Sequence, residues 1–218
     1  MIGNYIWFGA ALKVGQQHRS YTIPVFLTFY WFAHDASFVL SYDRWFNTYD
    51  HWFPQLFWVL LIFTVAFELA FMAQTVRYGR SELAPSLTVA HFRMGLLGGL
   101  LAMIAACVWL KSSMDDPVYL DIFALTVLSY PCIAIAQVLR RGNRRGISLP
   151  MCGGFVMMTV FYFAASTFFF GPEYETTTYH FVGLASLVTA CAMTWVVWKA
   201  PEYPVPDEVA APEKLSRA

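Results

Sequence analysis

Long apolar stretches separated by short polar breaks run through almost the whole chain. A helix of about 20 apolar residues matches the hydrocarbon thickness of a bilayer. Seven stretches approach this length, the first being the shortest: 2–16, 22–41, 55–77, 87–110, 119–139, 149–170 and 179–198. The pattern predicts an all-α integral membrane bundle of seven transmembrane helices in residues 1–200. A tail rich in Pro, Glu and Ala follows in 201–218, which we expect to be disordered.

Composition supports a membrane protein. Of the 218 residues, 58% are hydrophobic and only 13% are charged, and the mean hydropathy is +0.51. A soluble domain carries about 25% charged residues, roughly twice the share found here. We therefore expect the lipid bilayer to be the main surrounding of the chain, and we predict no nucleic-acid partner.

Basic residues are concentrated in alternate breaks, which sets the predicted orientation. Eight lie on one side of the bundle: Lys13, Arg19, Arg77, Arg80, Arg140, Arg141, Arg144 and Arg145. The other side has only Arg44 and Lys111. By the positive-inside rule, the N-terminus is predicted to be outside and the tail cytoplasmic, which requires an odd number of helices.

Ionisable residues also occur inside the predicted spans: the His34–Asp35 pair, Glu68, His91 and Arg93. A charged group at the centre of a bilayer costs about 2.5–3.5 kcal/mol on insertion scales. Such residues usually face the interior of the bundle and mark either a functional path or a polar network. One interpretation is a structural ion pair between helices, for instance Glu68 with Arg93. The other is a functional acid.

Asp35 favours the second interpretation. It lies about 20 Å along the second span, in the outer half of the predicted bundle. Desolvation disfavours the charged form of a carboxyl group, so Asp35 is expected to be a proton donor. His34 is adjacent, but neighbouring helical side chains point about 100° apart, so the two need not share a site.

Aromatic residues crowd the second span, the third span and the loop between them. An aromatic belt at the membrane interface accounts for part of this density. Aromatic faces also attract cations, so an acid surrounded by rings suits carbocation chemistry.

Three stretches resemble the small seven-helix integral membrane terpene cyclases of meroterpenoid and indole-terpenoid biosynthesis. The first, "NYIWFGAALKVGQQHRSYTIPVFLTFYWFAHD", is similar to a family pattern ending in Phe-Ala-Trp-Glu, and Asp35 takes the position of the catalytic Glu. The second, "FWVLLIFTVAFELAFMAQTVRYGRSEL", is similar to a third helix with an internal acidic residue, here Glu68. The third, "VLRRGNRRGISLPM", is similar to the family's basic turn between helices five and six.

The resemblance implies a proton-initiated terpene cyclase that needs no metal and no other cofactor. A terminal epoxide or alkene of a prenyl chain is protonated, a carbocation passes through the double bonds, and deprotonation ends the reaction. Asp35 would be the acid and Glu68 its catalytic partner. The residues expected to bind substrate beside them are Tyr30, Trp31, His34 and Phe38.

The seventh span departs from the family, because it lacks the second essential carboxylate of the last helix. Glu173, Glu175 or Asp121 is expected to bind substrate in its place, unless the role is filled differently. The resemblance further implies a lipophilic prenylated substrate, a sesqui- or diterpenoid that is free or linked to an indole or other aromatic group. It also implies a multi-pass protein of the cell membrane, the inner membrane in a bacterium.

Two other functions stay open. "SYPCIAIAQVLRRGNRRGISL" also resembles a PQ-loop element of small-molecule transporters built as two three-helix repeats around a single helix, although the first half of the chain lacks a matching motif. A non-catalytic membrane subunit is the second alternative. A metal site made of His34, Asp35, His51 and His180 would rest only on a shared side of the membrane, without ligand spacing, and none is predicted.

Overall fold

A computed structural model describes residues 1–114, 116 and 118–204, so most of the predicted tail lies outside the described residues. The described residues are all-helical, without strands. The α-helices are α1 Ile2–Gln17, α2 Val25–Leu40, α3 Trp52–Tyr78, α4 Arg80–Leu83, α5 Val89–Ser113, α6 Leu120–Arg141, α7 Leu149–Phe169 and α8 Thr177–Lys199. Two short helical segments, Arg44–Thr48 and Pro172–Glu175, lie in the connections. Apart from the single turn α4, each helix coincides with one predicted apolar stretch to within three residues at either end.

Five helices, α3 and α5 to α8, are long and apolar enough to cross a membrane. α1 and α2 have 16 residues each, fewer than the roughly 20 of a typical spanning helix. The prediction of a helical, multi-pass membrane protein is therefore confirmed, whereas the seven spans and the orientation stay predictions.

The bundle is held together mainly by the pairs α1–α7, α2–α3, α6–α8 and α7–α8, and α5 packs chiefly on α2. α1 and α7 lie in close contact at Gly3 and Gly154. A Cβ atom added to Gly154 would lie 2.5 Å from the backbone N of Trp7. Only glycine leaves room for two backbones at this crossing, as small residues do at contacts between membrane helices.

Polar side chains tie one end of the bundle together, and we call this the arginine end. Glu82 in α4 accepts hydrogen bonds from Arg141 at 2.9 and 3.0 Å, from Tyr21 at 3.1 Å and from Arg140. Burial by itself would raise the pKa of Glu82, but the hydrogen bond and charge of Arg141, helped by Tyr21 and Arg140, hold the pKa below its ordinary value.

Arg144 extends the arginine end to the last helix. Its guanidinium donates to the carbonyl oxygens of Val197 and Trp198, each at 2.6 Å. These carbonyls belong to the last turn of α8, where no partner exists within the helix. The basic turn between α6 and α7 is thereby fixed to the end of α8.

Candidate functional site

A cavity lies at the opposite end of the bundle, where α1, α2, α3, α6 and α7 meet. Its volume is about 70 Å³, enough for several water molecules and far below a pocket for a drug-sized ligand. Two acidic residues line it, together with nine aromatic ones: Trp7, Phe8, Trp31, Phe53, Phe57, Phe123, Phe161, Tyr162 and Phe170. Phe161 is 59% exposed, so the wall reaches the outer surface of the bundle there.

Asp35 reaches the cavity from the middle of α2 and is 2% exposed. Its Oδ1 lies 2.9 Å from Nδ1 of His34, and Nε2 of His34 lies 2.9 Å from the carbonyl oxygen of Tyr119. The two neighbours on α2 therefore share a site after all, because Nδ1 of the imidazole comes within hydrogen-bond distance of the carboxyl group. His34 itself is not part of the cavity wall but lies behind Asp35.

The hydrogen positions in this chain of contacts follow from the acceptor at its end. A carbonyl oxygen only accepts, so Nε2 of His34 carries a hydrogen and donates it to Tyr119. Nδ1 then either accepts a hydrogen from Asp35 or, in an imidazolium, donates one to it. The His34–Asp35 contact holds one shared proton in either form.

Glu68 lines the same cavity from α3 and is 1% exposed. Neither of its carboxyl oxygens has a hydrogen-bond partner among the described residues, and its carboxyl group interacts electrostatically with that of Asp35. The ion pair with Arg93 is absent, since Arg93 is exposed on α5. A buried polar group without a partner costs about 1–3 kcal/mol, and such unfavourable groups are concentrated at functional sites.

The aromatic residues expected on α2 are divided by the structure. Trp31 lines the cavity, one helical turn before Asp35. Tyr30 is buried in the main core, and Phe38 stacks on Trp45 at 4.0 Å in a second hydrophobic cluster. Tyr30 and Phe38 therefore lie outside the cavity.

The acids considered as a second carboxylate lie away from the cavity. Asp121 is exposed on α6, and Glu173 and Glu175 are exposed on either side of the buried Tyr174. Glu68 is the carboxyl group that accompanies Asp35 in the cavity.

Sequence reasoning missed three polar residues of the cavity wall, Asn4, Thr64 and Ser166. Thr64 could have been found, because it lies one turn before Glu68 on the same face of α3. Asn4 and Ser166 come from α1 and α7, and nothing in the sequence pairs these helices with α3.

Tyr119 anchors the far side of His34. Its φ of +62° is in the left-handed region, which is uncommon for a non-glycine residue. Lys111 Nζ lies 3.9 Å from the centre of its ring and Arg44 lies 5.1 Å from it. The two basic residues that the charge pattern leaves on this side of the bundle thus both pack on Tyr119.

Among the described residues, no three His, Cys, Asp or Glu side chains are grouped so that they could hold a metal ion. His34, Asp35, His51 and His180 accordingly do not form a common site.

Comparison with known proteins gives no match to a protein family, to a curated protein or to a solved structure. What the site can do is therefore argued from its geometry.

Proposed function

We propose that this protein is a membrane-bound terpene cyclase that starts the reaction by protonating a prenyl chain. The observation that carries the proposal is the cavity in which two buried carboxyl groups, Asp35 and Glu68, are enclosed by aromatic rings. Rings of this kind attract a cation without forming a bond to it. An acid is needed to generate that cation and a base to remove its last proton.

In the proposed reaction Asp35 is the acid. Its O–H bond breaks, its electron pair stays on the carboxylate, and the proton bonds to a terminal alkene carbon or an epoxide oxygen. Protonation of the alkene leaves a carbocation directly, whereas the protonated epoxide opens by breaking its C–O bond and keeps the oxygen as a hydroxyl group. The cationic carbon is attacked by the next double bond, and each ring closure moves the charge along the prenyl chain. Loss of a proton to a base ends the cascade. Glu68, as a carboxylate, would accept that proton, since neither of its oxygens has a hydrogen-bond partner among the described residues, and transfer of the proton to Asp35 in the same cavity would restore the acid. No diphosphate leaves in this scheme, so no metal is required.

The proposal includes the full membrane arrangement. Seven helices would span the bilayer, with α1 and α2 crossing about 24 Å each and their flanking residues completing the path. The N-terminus would be outside and the arginine end cytoplasmic, in agreement with the positive-inside rule. A sesqui- or diterpenoid substrate would enter from lipid beside Phe161, and the side chains of the cavity would move apart to accommodate it.

The test is product analysis of membranes that contain the protein. Farnesylated and geranylgeranylated substrates, each as alkene and as terminal epoxide, are supplied with a metal chelator. We expect a cyclic isomer of one of them. Asp35→Asn should abolish it while the protein remains in the membrane, and Asp121→Asn, at an exposed acid outside the cavity, should retain it. Cyclisation that survives in Asp35→Asn would refute Asp35 as the acid, and no cyclisation by the natural sequence would refute the function.

A transporter and a non-catalytic membrane subunit remain the alternatives. α1 packs mainly on α7 and only weakly on α3, so the helix packing does not favour the two three-helix units of a PQ-loop transporter. Proteoliposomes separate the two functions, because a transporter takes up an unchanged solute and a cyclase changes its substrate. A non-catalytic subunit would do neither.

A further inference from the structure

We propose that His34 is a positioning residue that sets the acid strength of Asp35 through a hydrogen-bond chain anchored on the carbonyl group of Tyr119. The inference rests on the proposed function, in which Asp35 is the acid. Its geometry can be tested without any substrate.

The chain consists of two contacts of equal length. Nε2 of His34 donates to the Tyr119 oxygen at 2.9 Å, and Nδ1 faces Oδ1 of Asp35 at 2.9 Å. The imidazole and carboxyl groups are 2% and 3% exposed, so bulk solvent does not compete for either contact. Because Nε2 keeps its hydrogen in the bond to Tyr119, Nδ1 is the nitrogen whose protonation can change.

Protonation of Nδ1 gives the arrangement that suits an acid. The imidazolium donates to Oδ1 and leaves Oδ2 to carry the proton towards the cavity. When the Oδ2–H bond breaks, the electron pair remains on Asp35, and the new carboxylate accepts a charge-assisted hydrogen bond from Nδ1. Such bonds are roughly twice as strong as neutral ones, so the imidazolium stabilises the carboxylate that remains when the proton leaves.

The position of the imidazole is fixed from both sides. Lys111 donates from Nζ to the backbone carbonyl of His34 at 3.2 Å and to the Ser37 hydroxyl. The imidazole ring also packs against Phe123 at 5.5 Å. At the far end, Asp116 accepts from the backbone N–H groups of Leu120 and Ile122 at 2.9 and 3.1 Å and so caps the helix that Tyr119 precedes.

Other titratable groups surround the pair and belong to three neighbouring segments. They are Glu68 on α3, Cys107 and Lys111 on α5, and Asp116 before α6. Lys111 donates to the backbone carbonyl of His34 and to Ser37, and the carboxyl group of Glu68 interacts with that of Asp35. Removal of His34 takes away the contact that the proposal invokes and leaves these groups in place.

The experiment measures the protonation of Asp35 directly. Dicyclohexylcarbodiimide is an apolar reagent that modifies protonated carboxyl groups, and mass spectrometry of the full-length protein in detergent locates the modified residue. Labelling of Asp35 is followed from about pH 5 to about pH 8, the interval in which histidine titrates. Modification at Glu68 is counted separately by its own peptide.

Removal of the imidazole should shift the labelling curve to higher pH. His34→Phe eliminates the donor and the charge, so the carboxylate is less stabilised, and we expect the midpoint to rise by about one to three pH units. His34→Asn offers an amide donor near the position of Nδ1 without the charge and should give an intermediate midpoint. His91→Phe makes the same change at an exposed histidine and should reproduce the natural curve.

An unchanged midpoint in a folded His34→Phe or His34→Asn protein would overturn the proposal and leave His34 with a purely structural role. If His34→Phe does not accumulate, the curve of His34→Asn decides alone. Failure of the proposed function is a separate result, since it is seen as absent cyclisation, whereas the labelling curve needs no turnover.

Discussion

Glu68 on α3 and Asp35 on α2 place their carboxyl groups in one buried cavity, and neither oxygen of Glu68 has a hydrogen-bond partner among the described residues. A chain selected for stability alone would not keep a carboxyl group there, because an apolar side chain of similar size avoids the cost of burial. At this cavity, a substitution that raises the free energy of unfolding should also remove the proposed activity.

Glu68→Met should therefore make the protein more stable and inactive. Methionine is unbranched and adapts to the same space, and it removes a buried polar group worth about 1–3 kcal/mol. Thermal unfolding in detergent should move to higher temperature while cyclisation is lost. Glu68→Gln is the control, because its amide remains a polar group without a partner and should not stabilise. If the Glu68→Met protein were less stable than the Glu68→Gln protein, burial of the Glu68 carboxyl group would not be unfavourable and the prediction would be wrong.

Gly154→Ala should disrupt the contact between α1 and α7. The added methyl group meets backbone atoms of Trp7 and Gly3 at 2.5 to 3.0 Å, and backbone cannot move aside as a flexible side chain does. We expect a loss of about 1–3 kcal/mol, measured as a lower unfolding temperature. Gly153→Ala is a matched control one residue earlier, where a Cβ meets nothing within 4 Å, and it should be neutral or slightly stabilising. If both substitutions changed the unfolding temperature equally, the close contact of α1 and α7 at Gly154 would be contradicted.

The ion pairs of Glu82 should make stability depend on acid pH. The pKa of Glu82 is lowered in the folded protein, so its contribution is complete above the ordinary carboxyl value of about 4.3. It is lost as the pH falls through the lower folded value. The difference in unfolding temperature between the natural protein and Glu82→Gln should be constant near neutral pH and shrink below about pH 4. A difference that does not change with pH would refute this assignment.

The two arginines bound to Glu82 should contribute differently to the free energy of unfolding. The side chain of Arg141 is 6% exposed and that of Arg140 is 51% exposed. Arg141→Gln should cost about 1.5–3 kcal/mol, as for hydrogen bonds to charged groups, whereas Arg140→Gln should cost less than about 1 kcal/mol because solvent screens an exposed pair. Unfolding of both variants in the same detergent tests the order, and a reversed order would contradict it.

Trp31→Leu should change the product rather than only the rate. An aromatic face stabilises a nearby cation by about 0.5–2 kcal/mol, so its loss should favour early deprotonation roughly two- to thirty-fold. The measurement is the ratio of partly cyclised to fully cyclised product. Trp109→Leu, at a residue 68% exposed on α5, should leave that ratio unchanged. A constant ratio in Trp31→Leu would mean that the charge does not pass this ring.

The helices were predictable from the sequence because an apolar stretch is a local property. The polar residues that bound the stretch mark approximately where the helix begins and ends. Asp35 and Glu68 stood out for a related reason, since an ionisable residue in such a stretch is costly unless something uses it. Neither inference requires knowledge of which helices are neighbours.

The contacts of the site depend on helix packing and were not predictable. Tyr119 is 85 residues away from His34 along the chain, and no periodicity relates the two. Phe38 shows the same limit, since it lies one turn after Asp35 but stacks on Trp45 instead of lining the cavity. Which face of α2 lines the cavity depends on how the neighbouring helices pack against it.

The bonds around Glu82 and Arg144 join the connections between helices to α4, α6 and the end of α8. The cavity end is tied by hydrogen bonds as well, for instance from Trp58 in α3 to the carbonyl oxygen of Val39 in α2. If the protein acts as proposed, the cavity end lies in the outer leaflet, and substrate and cyclic product would be exchanged with the lipid of that leaflet.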